Sequence, residues 1–225
     1  VTSYARAERA ALADLLLQVG PDAPTIDEGW VARDLAAHLE HGPLIVSIAA
    51  GISCDSLQRW LGPRPQAIVR CMPNTPSSVG HGALSLTAGD HVTEDQATAV
   101  EEVLSAVGVV VQVPEEQISA VTGVSGSGPA YVFLLAEMMQ KAGERLGLDA
   151  QTARTLAKQT VSGAGRLLED PDADPEALRK AVTSPNGTTE KAVEAFLDGG
   201  MGDLVNRAMD AAAQRDKEMA EEFGA

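Results

Sequence analysis

The chain has 225 residues, room for one large domain or two small ones at about 100–200 residues per domain. With 44% hydrophobic and 22% charged residues its composition is that of a folded globular protein, which excludes a disordered tail or a fibrous repeat. The 17 Lys and Arg against 32 Asp and Glu give a formal charge of −15, a field that repels phosphate backbones and anionic lipid surfaces, so neither nucleic acid nor membrane is an expected partner.

In chain order, residues 3–19 place Ala, Leu and Val at helical spacing and Gly20-Pro21 stops the run, and a second helix is expected over about 28–40. The pattern then changes. Leu44 to Ala50 is a short apolar run closed by Gly51, as expected of a strand buried on both faces; Ser53 caps a short helix through Leu61; and Ala67 to Cys71 reads as a second buried strand. A Pro-rich loop leads to a third strand at Ala83–Thr87. Thr93 and Gln96 form a capping box before a helix over 96–107, and Val109–Val113 is a fourth strand. Strand, helix, strand predicts a parallel sheet. From Glu115 the pattern is helical almost to the end, with breaks at Gly147, Pro171-Asp172, Pro185-Asn186-Gly187 and Gly199-Gly200. The fold class is therefore α/β followed by all-α. No apolar run approaches the ~18 residues of a spanning helix and the N-terminus carries no signal pattern, which points to a cytoplasmic protein. Cys54 and Cys71 are too few for a disulfide framework and read as small buried hydrophobes; no zinc spacing is present.

Four segments place Gly, Pro and hydroxyl residues where strands end or helices begin, where backbone N–H groups are free. Ala49-Ala50-Gly51-Ile52-Ser53 closes the first strand with small residues that let a flat ring or a phosphate approach; its plain reading is a strand ending in Gly. Arg70 to Pro76 is a proline-stiffened loop in which Asn74 offers both a donor and an acceptor, and which is equally a rigid turn. Thr122 to Tyr131 contains Gly126-Ser127-Gly128-Pro129, which follows a helical stretch and so lacks the strand and the GxGxxG spacing of a dinucleotide loop; Gly163-Ala164-Gly165 falls inside a helix. In Val182 to Glu190 a Pro-Asn-Gly turn delivers Thr188 and Thr189 onto the first turn of a helix, where free amides and the positive end of the helix dipole suit a carboxylate; a purely stabilising cap is the alternative.

The runs IVSIAAGIS, VRCMPNTP, TGVSGSGPAYVF and VTSPNGTTEKAVEAF, in this order, resemble pyrroline-5-carboxylate reductase over about residues 41–220. The resemblance implies NADPH- or NADH-dependent reduction of 1-pyrroline-5-carboxylate to L-proline. It also implies a Rossmann-type cofactor domain and a helical domain that forms a homodimer or higher homo-oligomer. Residue by residue, it implies cofactor contacts at Ala50, Gly51 and Asn74, and substrate contacts at Glu115, Ser184, Thr188 and Thr189. Asn186 stands where Gly is usual, and Ala181 where some members carry a cofactor-contacting Asn. No side chain in these segments is an obvious general acid, so no catalytic residue is assigned.

Residues 1–40 contain neither a buried strand nor a GxGxxG run; Tyr4 to Arg9 and Gly29 to Leu39 resemble instead the first helices of the DinB-like, mycothiol-dependent maleylpyruvate isomerase family, in which the histidine matching His38 is a metal ligand. The expected organisation is a helical hairpin over 1–40, a partial Rossmann-type domain over 41–114 and a helical substrate-binding and dimerisation domain over 115–225, with weak cofactor binding and low reductase activity. The alternatives are a non-catalytic dimerisation module and, further off, a DinB-like metal-dependent isomerase.

Overall fold

The computed structural model describes residues 28–36, 39 and 42–223. The helix expected over 3–19, the metal ligand suggested at His38 and most of the 1–40 hairpin lie outside the described residues. Within them, α1 spans Glu28–Ala36, and the α/β region follows as β1 (Leu44–Ser47), α2 (Cys54–Leu61), β2 (Ala67–Met72), β3 (Gly82–Ala88), α3 (Glu94–Leu104) and β4 (Gly108–Gln112). Both predicted caps form. Ser53 Oγ accepts the Ser56 amide at 3.1 Å ahead of α2. At α3, Thr93 Oγ1 accepts the Gln96 amide at 3.2 Å while Gln96 Oε1 accepts the Thr93 amide at 3.0 Å, so two otherwise orphaned donors are satisfied reciprocally.

The four strands lie in the order β1-β2-β3-β4. β1 and β2 run parallel with Leu44 opposite Ala67, as do β3 and β4 with Leu84 opposite Val110, each pair joined across a helix. The central pair is antiparallel, with Arg70 opposite Thr87. A parallel crossover needs about a dozen residues or more, and the connection 73–81, which contains a 3₁₀ turn at Thr75–Val79, is too short to make one. Because side chains alternate along β2, one face contributes Val69 and Cys71 to a core with Leu84, Leu86, Val100 and Leu104, and the other contributes Ile68 to a core with Ile52, Leu57 and Leu61. Each such fully buried aliphatic side chain is worth about 1.5–3 kcal/mol over its exposed state. β1 departs from the expected strand buried on both faces. It has four residues, pairs only with β2 among the described residues, and leaves Val46 44% exposed, because an edge strand has neighbours on one side only.

Beyond β4 come a 3₁₀ turn (Glu115–Gln117), α4 (Ile118–Val121), a π-helical turn (Thr122–Gly126), α5 (Gly128–Arg145), α6 (Ala150–Leu167), α7 (Pro175–Ala181), α8 (Thr188–Asp198) and α9 (Met201–Phe223). Gly163 and Gly165 fall inside α6, as expected. The compact units do not follow the change of composition at residue 115: one unit contains the sheet, the segment up to Pro129 and Met209–Phe223, and the other is Ala130–Ala208. In the second unit only Ala153 and Ala157 of α6 are buried, and neither α5 nor α8 buries any residue. Phe133, Leu134, Phe196 and Leu197 are all more than half exposed. The helical stretch 115–145 is also long and apolar enough by composition to cross a membrane, which the sequence reading did not anticipate.

Candidate functional site

The residues marked by the sequence fall in both units, and each group is built differently. In the sheet unit, Ala50 is exposed in the turn after β1, and Gly51 is buried behind it with φ +74. A Cβ on Gly51 would stand 2.9 Å from Met219 Cβ and 3.2 Å from the Met219 carbonyl carbon. The glycine is therefore required both by a left-handed backbone and by the close approach of α9. Asn74 uses both ends of its amide within the protein: Nδ2 donates to the Ser125 carbonyl at 3.1 Å, and Oδ1 accepts the Ala83 amide at 3.0 Å. One N–H of that amide and one lone pair of Oδ1 remain for a ligand.

Glu115, in the turn after β4, forms an ion pair with Arg70 Nη1. The Arg70 side chain is 5% exposed and that of Glu115 35%. Arg70 Nε and Nη2 and Glu115 Oε2 are buried without hydrogen bonds in the protein. Cys54 sits beside this pair: burial, reinforced by the Glu115 carboxylate, pushes its thiol up to about 12, and burial does the same to Cys71. Both are neutral thiols at physiological pH and offer no nucleophile. Glu115 also lines a cleft of about 320 Å³ with Cys54, Asp55, Gln58, Gln66 and Asp90, whereas Ala50 and Asn74 do not.

In the helical unit, the Pro-Asn-Gly turn is built as its sequence requires. Asn186 takes φ 60, a conformation asparagine tolerates better than most residues. The Gly187 amide donates to the Ser184 carbonyl at 3.0 Å, and α8 begins at Thr188. Gly187 at the N-cap supplies no side-chain hydrogen bond, which leaves the first-turn amides of Thr188 and Thr189 for a ligand or water. Thr188 and Ser184 are exposed and Thr189 half-buried. Glu190 Oε2 folds back to accept the Asn186 amide at 2.8 Å, so its charge is tied to the turn.

Two long-range features escaped the sequence reading. Arg70 lies 45 residues from Glu115. Asp216, 5% exposed on α9, accepts from Ser119 Oγ at 2.8 Å and lies 3.2 Å from Thr122 Oγ1. The first had a legible signal, since a charge inside an apolar strand must find a partner. The second had none, because α9 is rich in charges and nothing local marks the one that turns inward. Among the described residues no cluster of His, Cys, Asp or Glu could hold a metal ion.

Comparison with known proteins agrees with these motifs. A family model described as pyrroline-5-carboxylate reductase dimerisation matches residues 115–219, the region whose apolar helices are left uncovered. The pyrroline-5-carboxylate reductase of Pseudomonas aeruginosa is 48% identical over 220 residues, covering 97% of this chain and 79% of that protein. That alignment takes in most of residues 1–40, and nothing found supports their DinB-like resemblance. Pyrroline-5-carboxylate reductase 1 of Bacillus subtilis is 38% identical over 189 residues; the chain spans 63% of its length, just under two thirds. Among solved structures, the Coxiella burnetii pyrroline-5-carboxylate reductase superposes with a TM-score of 0.80 at 42% identity, over 85% of this chain and 72% of that one. A Plasmodium falciparum pyrroline carboxylate reductase with NADP bound gives 0.76 at 27% identity, over 86% and 77%. By sequence identity, by fold and by the order of its motifs, the chain belongs to the pyrroline-5-carboxylate reductase family.

Proposed function

We propose that the chain carries out the reaction its relatives are named for, the NADPH- or NADH-dependent reduction of 1-pyrroline-5-carboxylate to L-proline, as a homodimer or larger homo-oligomer. The observation that carries this reading is the 48% identity that extends over 97% of the chain. The geometry agrees with it. At the start of α8 the unpaired amides of Thr188 and Thr189, their hydroxyls and the positive end of the helix dipole suit the substrate carboxylate, with Ser184 in the preceding turn. Glu115 is held by Arg70 and supports the segment that leads into the glycine-rich π-turn.

The residues present fit one part of a dinucleotide better than another. Exposed Ala50 and the free N–H of Asn74 suit the nicotinamide end. Gly51 does not open a phosphate cradle, because the space its missing Cβ leaves is taken by Met219. When bound, the dinucleotide supplies the hydride that reduces the C=N bond; the chain's own residues hold the carboxylate, orient the ring and exclude water, and positioning of this kind supplies much of such a rate enhancement.

The uncovered apolar faces of α5 and α8 support assembly, since helices that bury nothing cannot by themselves offset the entropy of ordering them. The charge of −15 and the two free cysteines suit the cytoplasm. We attach no metal chemistry to the DinB-like resemblance of residues 1–40. The second reading, a non-catalytic dimerisation module, is favoured by the same apolar faces. One experiment separates the two: purified chain, pyrroline-5-carboxylate and NADPH, with L-proline measured directly and dinucleotide binding followed by fluorescence. Proline formation that depends on both substrates supports the reductase; a stable dimer that binds no dinucleotide and forms no proline supports the module.

A further inference from the structure

α9 runs for 23 residues and buries one of them, the aspartate Asp216. Taking a carboxylate out of water is costly unless it is hydrogen-bonded, and an apolar side chain at this place would be buried without that cost. What the carboxylate adds is two directional acceptors, and both face the segment that enters the glycine-rich turn. Ser119 Oγ donates to Oδ2 at 2.8 Å. Thr122 Oγ1 lies 3.2 Å from Oδ1 and 3.1 Å from the Ile118 carbonyl, so its one proton is shared between them.

Thr122 opens the π-helical turn Thr122–Gly126, whose wide closure is made by the Ser127 amide donating to the Thr122 carbonyl at 2.8 Å. Such turns are rare and occur often at functional sites. This one is held from the sheet as well, where Asn74 Nδ2 reaches the Ser125 carbonyl at 3.1 Å and a Cβ on Gly126 would stand 2.7 Å from the Met72 methyl. From α9, the Met209 carbonyl oxygen would lie 3.1 Å from a Cβ on Gly123. Asn74 fixes the end of the turn and Asp216 its beginning.

We propose that Asp216 is a positioning residue for the reductase reaction, fixing the glycine-rich turn through Ser119 and Thr122 so that the turn keeps one shape during turnover. The assignment rests on the reductase reading for its consequence, though not for the clamp itself. It is tested in the full chain with Asp216→Leu, Asp216→Asn and the pair Ser119→Ala with Thr122→Val, which removes the same bonds from the other side. Amide hydrogen exchange at 124–127 is expected to quicken by about tenfold or more in Asp216→Leu and in the Ser119/Thr122 pair, while β2 and β3 keep their rates. kcat for pyrroline-5-carboxylate is expected to fall by a similar factor with a smaller change in KM. Asp216→Asn, which keeps one acceptor and can donate to the other hydroxyl, is expected to recover both to within about threefold of the parent. Unchanged exchange at the turn, or an equal rise in β2 and β3, overturns the clamp. Faster exchange at the turn with unaltered kcat overturns the positioning role. A parent chain without turnover refutes the reductase reading, and the exchange comparison still decides the clamp.

Discussion

Removing Glu115 tests the account of the sheet's buried charge. The Arg70 guanidinium sits in β2 with its side chain 5% exposed, and its contact with a charged partner is to Glu115. Its Nε and Nη2 already lack hydrogen bonds within the protein, so Glu115→Ala leaves a buried cation with no counter-charge. Breaking a fully buried pair by deleting one partner costs about 3–5 kcal/mol. The Glu115 side chain is 35% exposed, so water screens part of the attraction and can reach the vacated space, which reduces the expected loss to about 2–3 kcal/mol. Arg70→Met removes the desolvated cation and leaves a carboxylate that can rehydrate, at an expected cost of about 1 kcal/mol or less. The double substitution should then resemble Arg70→Met, giving a coupling of about 2 kcal/mol. Urea unfolding of the four proteins at one fixed concentration measures this, the concentration being held because a dimer's stability depends on it. A loss below about 0.5 kcal/mol for Glu115→Ala, or a coupling inside the usual additivity error of about 0.5 kcal/mol, would refute the claim that this pair is buried and interdependent.

Gly51→Ala should cost about 2–3 kcal/mol, combining a left-handed backbone with a Cβ crowded against Met219, and Met219→Ala should give no rescue because the contacts are the Cβ and the backbone; thermal unfolding of the single and double variants decides it. Thr93→Ala should cost about 1 kcal/mol through loss of the capping box, and Thr93→Ser should restore most of it. The raised thiols of Cys54 and Cys71 predict an alkaline limit. Below the unfolded pKa near 9 both states hold the proton and the contribution is complete; between there and the folded value of about 12 the unfolded chain releases protons that the folded one keeps, so stability falls as pH rises. Replacing both cysteines by Ala or Val should flatten that decline in a pH series of unfolding midpoints; an unchanged slope would show that the thiols are not its source.

Much of the α/β region was legible because its signals are local. The capping box at Thr93 and Gln96, the Ser53 cap and the apolar runs of the four strands depend on residues within a few positions of one another; both caps formed where expected and each run holds a strand, β1 ending at Ser47 short of the expected Ala50. The Asn186 turn was legible for the same reason: few residues take φ 60 readily, and the helix start follows from it. The antiparallel pairing of β2 with β3 was not read, although the short connection 73–81 already forbids a crossover; the strand–helix–strand rhythm around it masked the exception. The half-buried state of β1 could not be read at all, since an apolar run has the same composition at an edge as at the centre of a sheet.

The sequence by itself determined the elements, the helix starts and the four motifs that mark the family, because these depend on backbone preferences and on residues close together in the chain. Only the tertiary structure decided what those residues are attached to. It showed that Asn74 is shared between a turn and a strand, that Glu115 neutralises Arg70 inside the sheet unit, and that Asp216 reaches 94 and 97 residues back to Thr122 and Ser119. The physical reason is that the free energy of a buried charge is set by what surrounds it after the chain has folded, and a carboxylate on a charged helix looks the same in sequence whether it faces water or two hydroxyls.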